Sequence, residues 1–200
     1  MTTDDSVSAR VATHLDHHLG RSSVVRNQEA TEDWRPFRLV RYQDQPVPGS
    51  STVVSVGLSE IVLSLAPGVI GRQELAMSAY DAFVDARITE LIQILAALVR
   101  GSEASERGWF PGTVLPFAGP VLDGLPFETL YSADISYLDA DARLVKATDP
   151  MTNLAWLVPI FGSEVAFISN RGFRAFEQLL MRSDPAIDLL DFTRQPVIAP

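Results

Sequence analysis

Cysteine is absent from the 200-residue sequence, which excludes disulfides, thiolate nucleophiles and cysteine metal sites. Lysine is almost absent as well, because Lys146 is the only one among 16 basic residues. The 25 acidic residues give a net charge of −9. Nucleic-acid-binding proteins usually carry a basic surface, so we predict no nucleic-acid partner. An acidic surface can instead steer a basic protein partner, although it also serves solubility.

Long hydrophobic runs are also missing. The most apolar stretch, "LAWLVPIF" at 154–161, is far shorter than the roughly 20 residues of a membrane-spanning helix. The N-terminal "MTTDDSVSAR" has no basic region followed by an apolar run, as a signal peptide would. We therefore predict a soluble, cytoplasmic protein without membrane contact. The length and the 46% apolar content suit a single domain over 1–200, with its core at about 7–197.

Hydrophobic periodicity predicts an α+β fold, in which a mixed, mostly antiparallel sheet packs with helices. We predict that this sheet has one solvent-exposed face. A linker is expected at 101–108, a turn at 139–142, and a cap at Ser163 for the helix that Gly172 closes. The predicted helices cover 5–19, 82–100, 162–172 and 173–183, and the predicted strands cover 37–42, 52–58, 72–80, 130–138 and 154–161.

The stretch "TVVSVGLSEI" at 52–61 raises the question of a serine nucleophile at a strand end. A nucleophile elbow requires the pattern G-x-S-x-G, but Ile61 stands where the second glycine belongs. The histidines are confined to the first predicted helix, and one of them would have to reach Ser59 together with an orienting acid. We therefore interpret the segment as a structural turn in which Ser59 bonds locally, and we rank a divergent hydrolase last.

His14 and His18 are four residues apart on the first predicted helix, a spacing that can chelate a metal. No glutamate occupies the zinc-protease position and no distant third ligand is evident. We expect the His18 ring to pack beside Val11 and Leu15 instead. Phosphate-binding loops are absent from the sequence, so we predict neither a metal nor another cofactor.

Three tryptophans are candidates for partner binding. Trp156 lies within the apolar run and is predicted to be core. Trp34 and Trp109 fall in loop-like segments, and Phe110 follows Trp109 directly. Because exposed tryptophan is enriched at interfaces, we predict Trp109, Phe110 and Trp34 as partner-binding residues. The alternative, that both loop tryptophans merely cover the core, stays open.

Two separated blocks resemble the suppressor-of-fused domain family, in particular its bacterial single-domain members. The first block is "TVVSVGLSEI" followed by "RQELAMSAY", and the second is "LAWLVPIFGSEVAFISNRGFRAFEQLL" followed by "DFTR". The positions that match the family pattern are Gly57, Leu58, Ser59, Glu74, Leu75, Pro159, Ile160, Glu164, Gly172, Asp191 and Arg194.

The resemblance implies a non-catalytic domain in which these positions are structural. Glu74 and Glu164 would satisfy backbone or arginine donors, with Arg194 as one candidate. The animal member uses two domains to hold a transcription factor through an extended peptide, and this chain has room for one. Its peptide-binding acids correspond to about 105–125, which is poor in acids here, so none is carried over.

The resemblance implies that the bacterial relatives are immunity proteins of polymorphic toxin systems, or related partner-binding modules. We therefore predict an immunity protein whose partner is a protein, such as a basic toxin domain. The alternative is an adaptor or chaperone-like module that binds an extended segment.

Overall fold

The computed structural model is built around one mixed sheet. It describes residues 6–32, 34–117, 119–134, 137–182 and 189–198, and within these ranges the sheet has nine strands. The strands are β1 (Ser22–Gln28), β2 (Phe37–Gln43), β3 (Ser50–Val56), β4 (Leu63–Ala66), β5 (Val69–Tyr80), β6 (Val114–Pro116), β7 (Thr129–Ala133), β8 (Leu144–Val145) and β9 (Thr152–Ile160). The helices are α1 (Val7–Leu19), α2 (Asp81–Ser105), α3 (Ala140–Arg143), α4 (Gly162–Arg171) and α5 (Phe173–Arg182), and a single 3₁₀ turn covers Leu58–Glu60.

The strand order is β1-β2-β3-β5-β9-β7-β6, with β4 attached to β5 and β8 attached to β9. Every pairing is antiparallel except that of β5 with β9. A parallel pair requires a long crossover, and the chain from α2 to β8 supplies it. The predicted α+β class with a mixed, mostly antiparallel sheet is confirmed.

Both faces of the sheet are buried, so the prediction of one solvent-exposed face is wrong. Side chains alternate across a strand, and on β5 Leu75 faces one core while Ala76 faces the other. The first core is closed by α2, and the second by α1, α4 and α5. As a result β3 is buried at every position. The predicted core position of Trp156 is confirmed, since this residue is 1% exposed.

Two element boundaries differ from the predictions for physical reasons. The polar segment at 22–28 is strand β1, which lies at the sheet edge with both faces partly exposed and so shows no alternation. The predicted linker at 101–108 is helical as far as Ser105, and Glu106 ends α2 in a left-handed conformation. None of the helices in the described ranges is both long and apolar enough to span a membrane.

The start of α4 also differs from the prediction. Phe161, not Ser163, occupies the N-cap position, and the Glu164 carboxylate accepts a hydrogen bond from the Phe161 N–H at 3.0 Å. The Ser163 hydroxyl instead donates to the Ile198 carbonyl at 2.9 Å.

Two predictions near 130–142 need a similar correction. The predicted strand at 130–138 is observed only as β7, and residues 135 and 136 lie outside the described part. The predicted turn at 139–142 is largely the short helix α3.

Candidate functional site

The turn after β3 depends on a glycine. Gly57 has φ +133°, a conformation that residues with side chains rarely adopt. A Cβ at this position would lie 2.9 Å from both the Phe37 Cα and the Pro36 carbonyl oxygen. The close approach of the two chain segments therefore requires the absence of a side chain at Gly57.

A buried carboxylate holds this turn from β5. Glu74 is 1% exposed and accepts hydrogen bonds from the Gly57 N–H at 2.8 Å, the Ser59 N–H at 3.0 Å and the Ser55 hydroxyl at 2.5 Å. Burial raises the pKa of the Glu74 carboxyl, and these hydrogen bonds oppose that rise. The structure thus places Gly57, Ser59 and Glu74 in one network that fixes the backbone path.

Ser59 is not placed as a nucleophile. Its side chain is fully buried and faces the Glu74 carboxylate, without making a hydrogen bond of regular geometry. His14, the partly buried histidine of α1, has its Nε2 2.9 Å from the Asp141 carbonyl oxygen. At 0% exposure, the Ser59 hydroxyl is closed to a substrate in this structure.

The histidines of α1 lie at the protein surface. His18 is exposed, so the prediction that its ring packs in the core is wrong, because Val11, Leu15 and Leu19 form the inward face of α1. The His14 and His18 ring centroids are 4.5 Å apart. Burial, followed by repulsion from His18, lowers the pKa of His14. Within the described ranges no three histidine or acidic side chains converge as metal ligands would.

A second buried carboxylate belongs to the C-terminal block of residues that resembles the family pattern. Glu164 is 0% exposed and binds Arg194 through two hydrogen bonds of 2.7 and 2.8 Å. Arg194 also donates to the Pro159 carbonyl at 3.2 Å, and Glu164 accepts from the Val197 N–H at 3.0 Å. This bidentate pair connects α4, the end of β9 and the C-terminal segment.

Aromatic rings cover the same pair. The Arg194 guanidinium lies 4.9 Å from the Phe161 ring centroid and 5.7 Å from that of Phe127, within cation–π range. Asp191 closes a local turn by accepting from the Thr193 N–H at 2.7 Å, and its carbonyl accepts from the Arg194 N–H.

The remaining positions of the family pattern have backbone or packing roles. Gly172 ends α4 with φ +82°. Leu58 and Leu75 lie in the core on the α2 side, and Ile160 lies in the core on the opposite side. Leu58 borders a small hollow of about 10 Å³ beside Glu103. Together with the two carboxylates, Leu58, Leu75 and Ile160 lie in the buried frame of the domain.

The loop carrying Trp109 and Phe110 is held by an amide that the sequence analysis missed. Gln73 is 0% exposed, accepts from the Trp109 N–H at 2.7 Å and donates to the Trp109 carbonyl at 2.9 Å. The same Gln73 amide donates to Asn153 on β9 at 2.9 Å. A Cβ on Gly108 would lie 2.8 Å from the Gln73 oxygen, so a small residue is needed there. The loop backbone is thereby fixed to the sheet.

The three predicted partner-binding aromatics do not form one group. Trp109 is partly buried against the core on the α2 side, whereas Phe110 is 44% exposed. Trp34 lies before β2, where its backbone N–H donates to the Thr31 hydroxyl. No described ring contact joins the Trp34 side chain to Trp109 or Phe110. The geometry therefore leaves Phe110, beside Trp109, as the exposed aromatic of this loop. The sequence carried no signal for Gln73, because a buried amide within an alternating strand resembles any polar position.

Comparison with known proteins identifies the family. A family model described as "Suppressor of fused protein (SUFU)" matches residues 33–195. The chain belongs to the suppressor-of-fused family. The matched range begins after α1 and β1. Leu15 of α1 nevertheless packs in the core on the side of the sheet opposite α2. No curated protein sequence is significantly similar to the chain.

Solved structures of suppressor-of-fused proteins share the fold. A Neisseria gonorrhoeae protein described as a putative suppressor-of-fused homologue has a TM-score of 0.74 at 16% identity, covering 96% of this chain and 97% of that one. A chain of the Sufu–Fu complex gives 0.60 at 14% identity, with coverages of 86% and 82%. Drosophila Suppressor of Fused gives 0.56 at 16% identity, covering 88% of this chain but 42% of the Drosophila chain.

Proposed function

We propose that this suppressor-of-fused chain is a non-catalytic protein-binding domain, and specifically an immunity protein that neutralises a cognate bacterial toxin. The observation that carries the proposal is the loop at Trp109 and Phe110. Its backbone is fixed by the buried Gln73 while the Phe110 ring stays 44% exposed. Preorganised aromatic side chains are typical anchors of protein interfaces. A family member has been solved as the Sufu–Fu complex, which supports a binding role.

The most catalysis-like motif supports the same conclusion. The Ser59 hydroxyl is 0% exposed, and Glu74 is occupied by two backbone N–H groups and the Ser55 hydroxyl. A nucleophile needs access to substrate and a base within hydrogen-bond reach. A frame of buried carboxylates serves a binding scaffold well, because such a scaffold needs rigidity rather than an open cleft.

The charge of the chain supports a basic partner. A net charge of −9 on 200 residues attracts a positively charged domain from a distance and speeds its association. A nuclease toxin carries a basic surface for its nucleic-acid substrate, so it suits an acidic inhibitor.

A co-expression experiment tests the immunity role. Any toxin-like domain that the genes beside this one encode is induced in a heterologous bacterium, with and without this chain. We expect the wild type to restore growth and Phe110→Ser to restore it much less. Met181→Ser, which replaces another exposed apolar residue on α5, is the matched control and should rescue fully. Absence of rescue by the wild type would contradict the immunity role.

An adaptor or chaperone-like module that binds an extended segment is the second candidate. It is favoured by the open sheet, whose outermost strands β1 and β6 each have one strand partner in the described structure. An extended peptide can add to such an edge through backbone hydrogen bonds. Binding to many unrelated peptides, without rescue from one toxin, would favour this role.

A further inference from the structure

The two edges of the sheet differ in length and exposure. β6 has three residues and ends in Pro116, whereas β1 has seven residues and is exposed to some degree at every position. Val24 on β1 is 57% exposed. Within the described chain β1 pairs with β2 alone, and a bulge lies between Val24 and Arg26. The outer row of β1 backbone groups is therefore open to a further strand.

Two arginines meet beside this edge on the α2 side. Arg26 of β1 and Arg100 of α2 both donate to the Gln28 side-chain oxygen, at 3.4 and 3.0 Å. The Arg100 Nε is buried without a hydrogen-bond partner. Neither guanidinium lies within 4.0 Å of a carboxylate in the described ranges. Other arginines of this acidic chain do have carboxylate partners, namely Arg35, Arg41, Arg87 and Arg194.

Two guanidinium groups that share one neutral amide oxygen suit an anionic ligand. A carboxylate can accept from both at once, with shorter and stronger hydrogen bonds than an amide oxygen makes. Because Arg26 pairs in register with Leu39, whose side chain enters the core on the α2 side, both groups lie on one face next to the strand.

We propose that the outer edge of β1 binds an extended segment of a partner protein that carries one Asp or Glu. The segment adds to the sheet as a strand beside Ser22–Gln28 and places one Asp or Glu carboxylate between Arg26 and Arg100. This inference rests on the proposed protein-binding role. The β1 edge is at the other end of the sheet from β6, and β6 is the edge strand that pairs with β7 near the Phe110 loop.

Peptide selection on the full chain tests the proposal. Random nonapeptides displayed on phage are selected against the folded protein. We expect enrichment of β-branched sequences with one Asp or Glu at a fixed position. The selected peptide should slow amide exchange at 22–28, and changing its acid to the amide should weaken binding about tenfold.

Matched variants assign the carboxylate to its arginines. Arg26→Gln and Arg100→Gln should each weaken binding about tenfold and remove the preference for the acid over the amide. Arg38→Gln is the control. Arg38 lies on neighbouring β2 but on the opposite face, with Val40 and Tyr42, so this variant should bind the peptide as the wild type does.

Several results would overturn the proposal. These are no selected peptide, peptides without an acid, amide protection at 114–116 instead of 22–28, or dimers of this chain formed through β1. If a toxin is captured and neutralised while these peptide tests fail, the β1 inference fails and the proposed function stands.

Discussion

At the scale of single residues, the pair of Glu164 and Arg194 is the most buried ion pair in the described part of the chain. Removing one partner leaves the other charge buried and uncompensated, so Arg194→Met should lower the free energy of unfolding by about 3–5 kcal/mol. The double variant Glu164→Gln with Arg194→Met should lose less, because no unpaired charge remains. Urea denaturation measures both. A loss below about 1 kcal/mol for the single variant would contradict the assigned role.

Glu74 makes stability depend on pH. Burial raises its pKa in the folded state above the ordinary 4.5, so the folded protein keeps a proton that the unfolded chain has released. The contribution of this group to stability is therefore present at low pH and lost as pH rises through the raised pKa. Wild type should lose stability relative to Glu74→Gln as pH rises above about 4.5. Unfolding free energies at several pH values test this, and a constant difference between the two proteins would be evidence against it.

At the scale of elements, the turn after β3 depends on Gly57. An alanine there combines an unfavourable φ with contacts of 2.9 Å to Phe37 and Pro36, and should cost about 2–4 kcal/mol. Gly101 in α2 is the matched control, since a Cβ there meets nothing within 4 Å. Gly101→Ala should stabilise by about 0.5–1 kcal/mol. Thermal unfolding of both variants is the measurement, and equal effects would refute the argument.

The same elements show what the sequence could predict. Hydrophobic periodicity predicted α1 and α2, because each buries one face in the core. A continuous apolar run predicted β9, because both faces of that strand are buried. These patterns missed β1, whose polar residues lie at an edge, and β8, which has two residues. They placed Trp109 and Phe110 in a loop, but Gln73 and the arginines beside β1 depend on contacts between residues distant in sequence.

At the scale of the whole molecule, helices cover both faces of the sheet, so partners are left with its edges, loops and outer helical surfaces. A net charge of −9 favours solubility. The same charge predicts that binding to a basic partner weakens as salt screens the attraction between them. Glu74, Glu164 and Arg194 of the family pattern are buried, whereas the proposed binding surfaces depend on residues outside that pattern, such as Phe110.

Affinity capture of the tagged protein from its native lysate, at two salt concentrations, tests protein binding most directly. Bound proteins are identified by mass spectrometry for wild type, Phe110→Ser and the control Met181→Ser. We predict one dominant basic partner, retained at moderate salt, released at high salt, lost with Phe110→Ser and kept with Met181→Ser. No specific partner for the wild type, or equal capture by Phe110→Ser, would contradict the account.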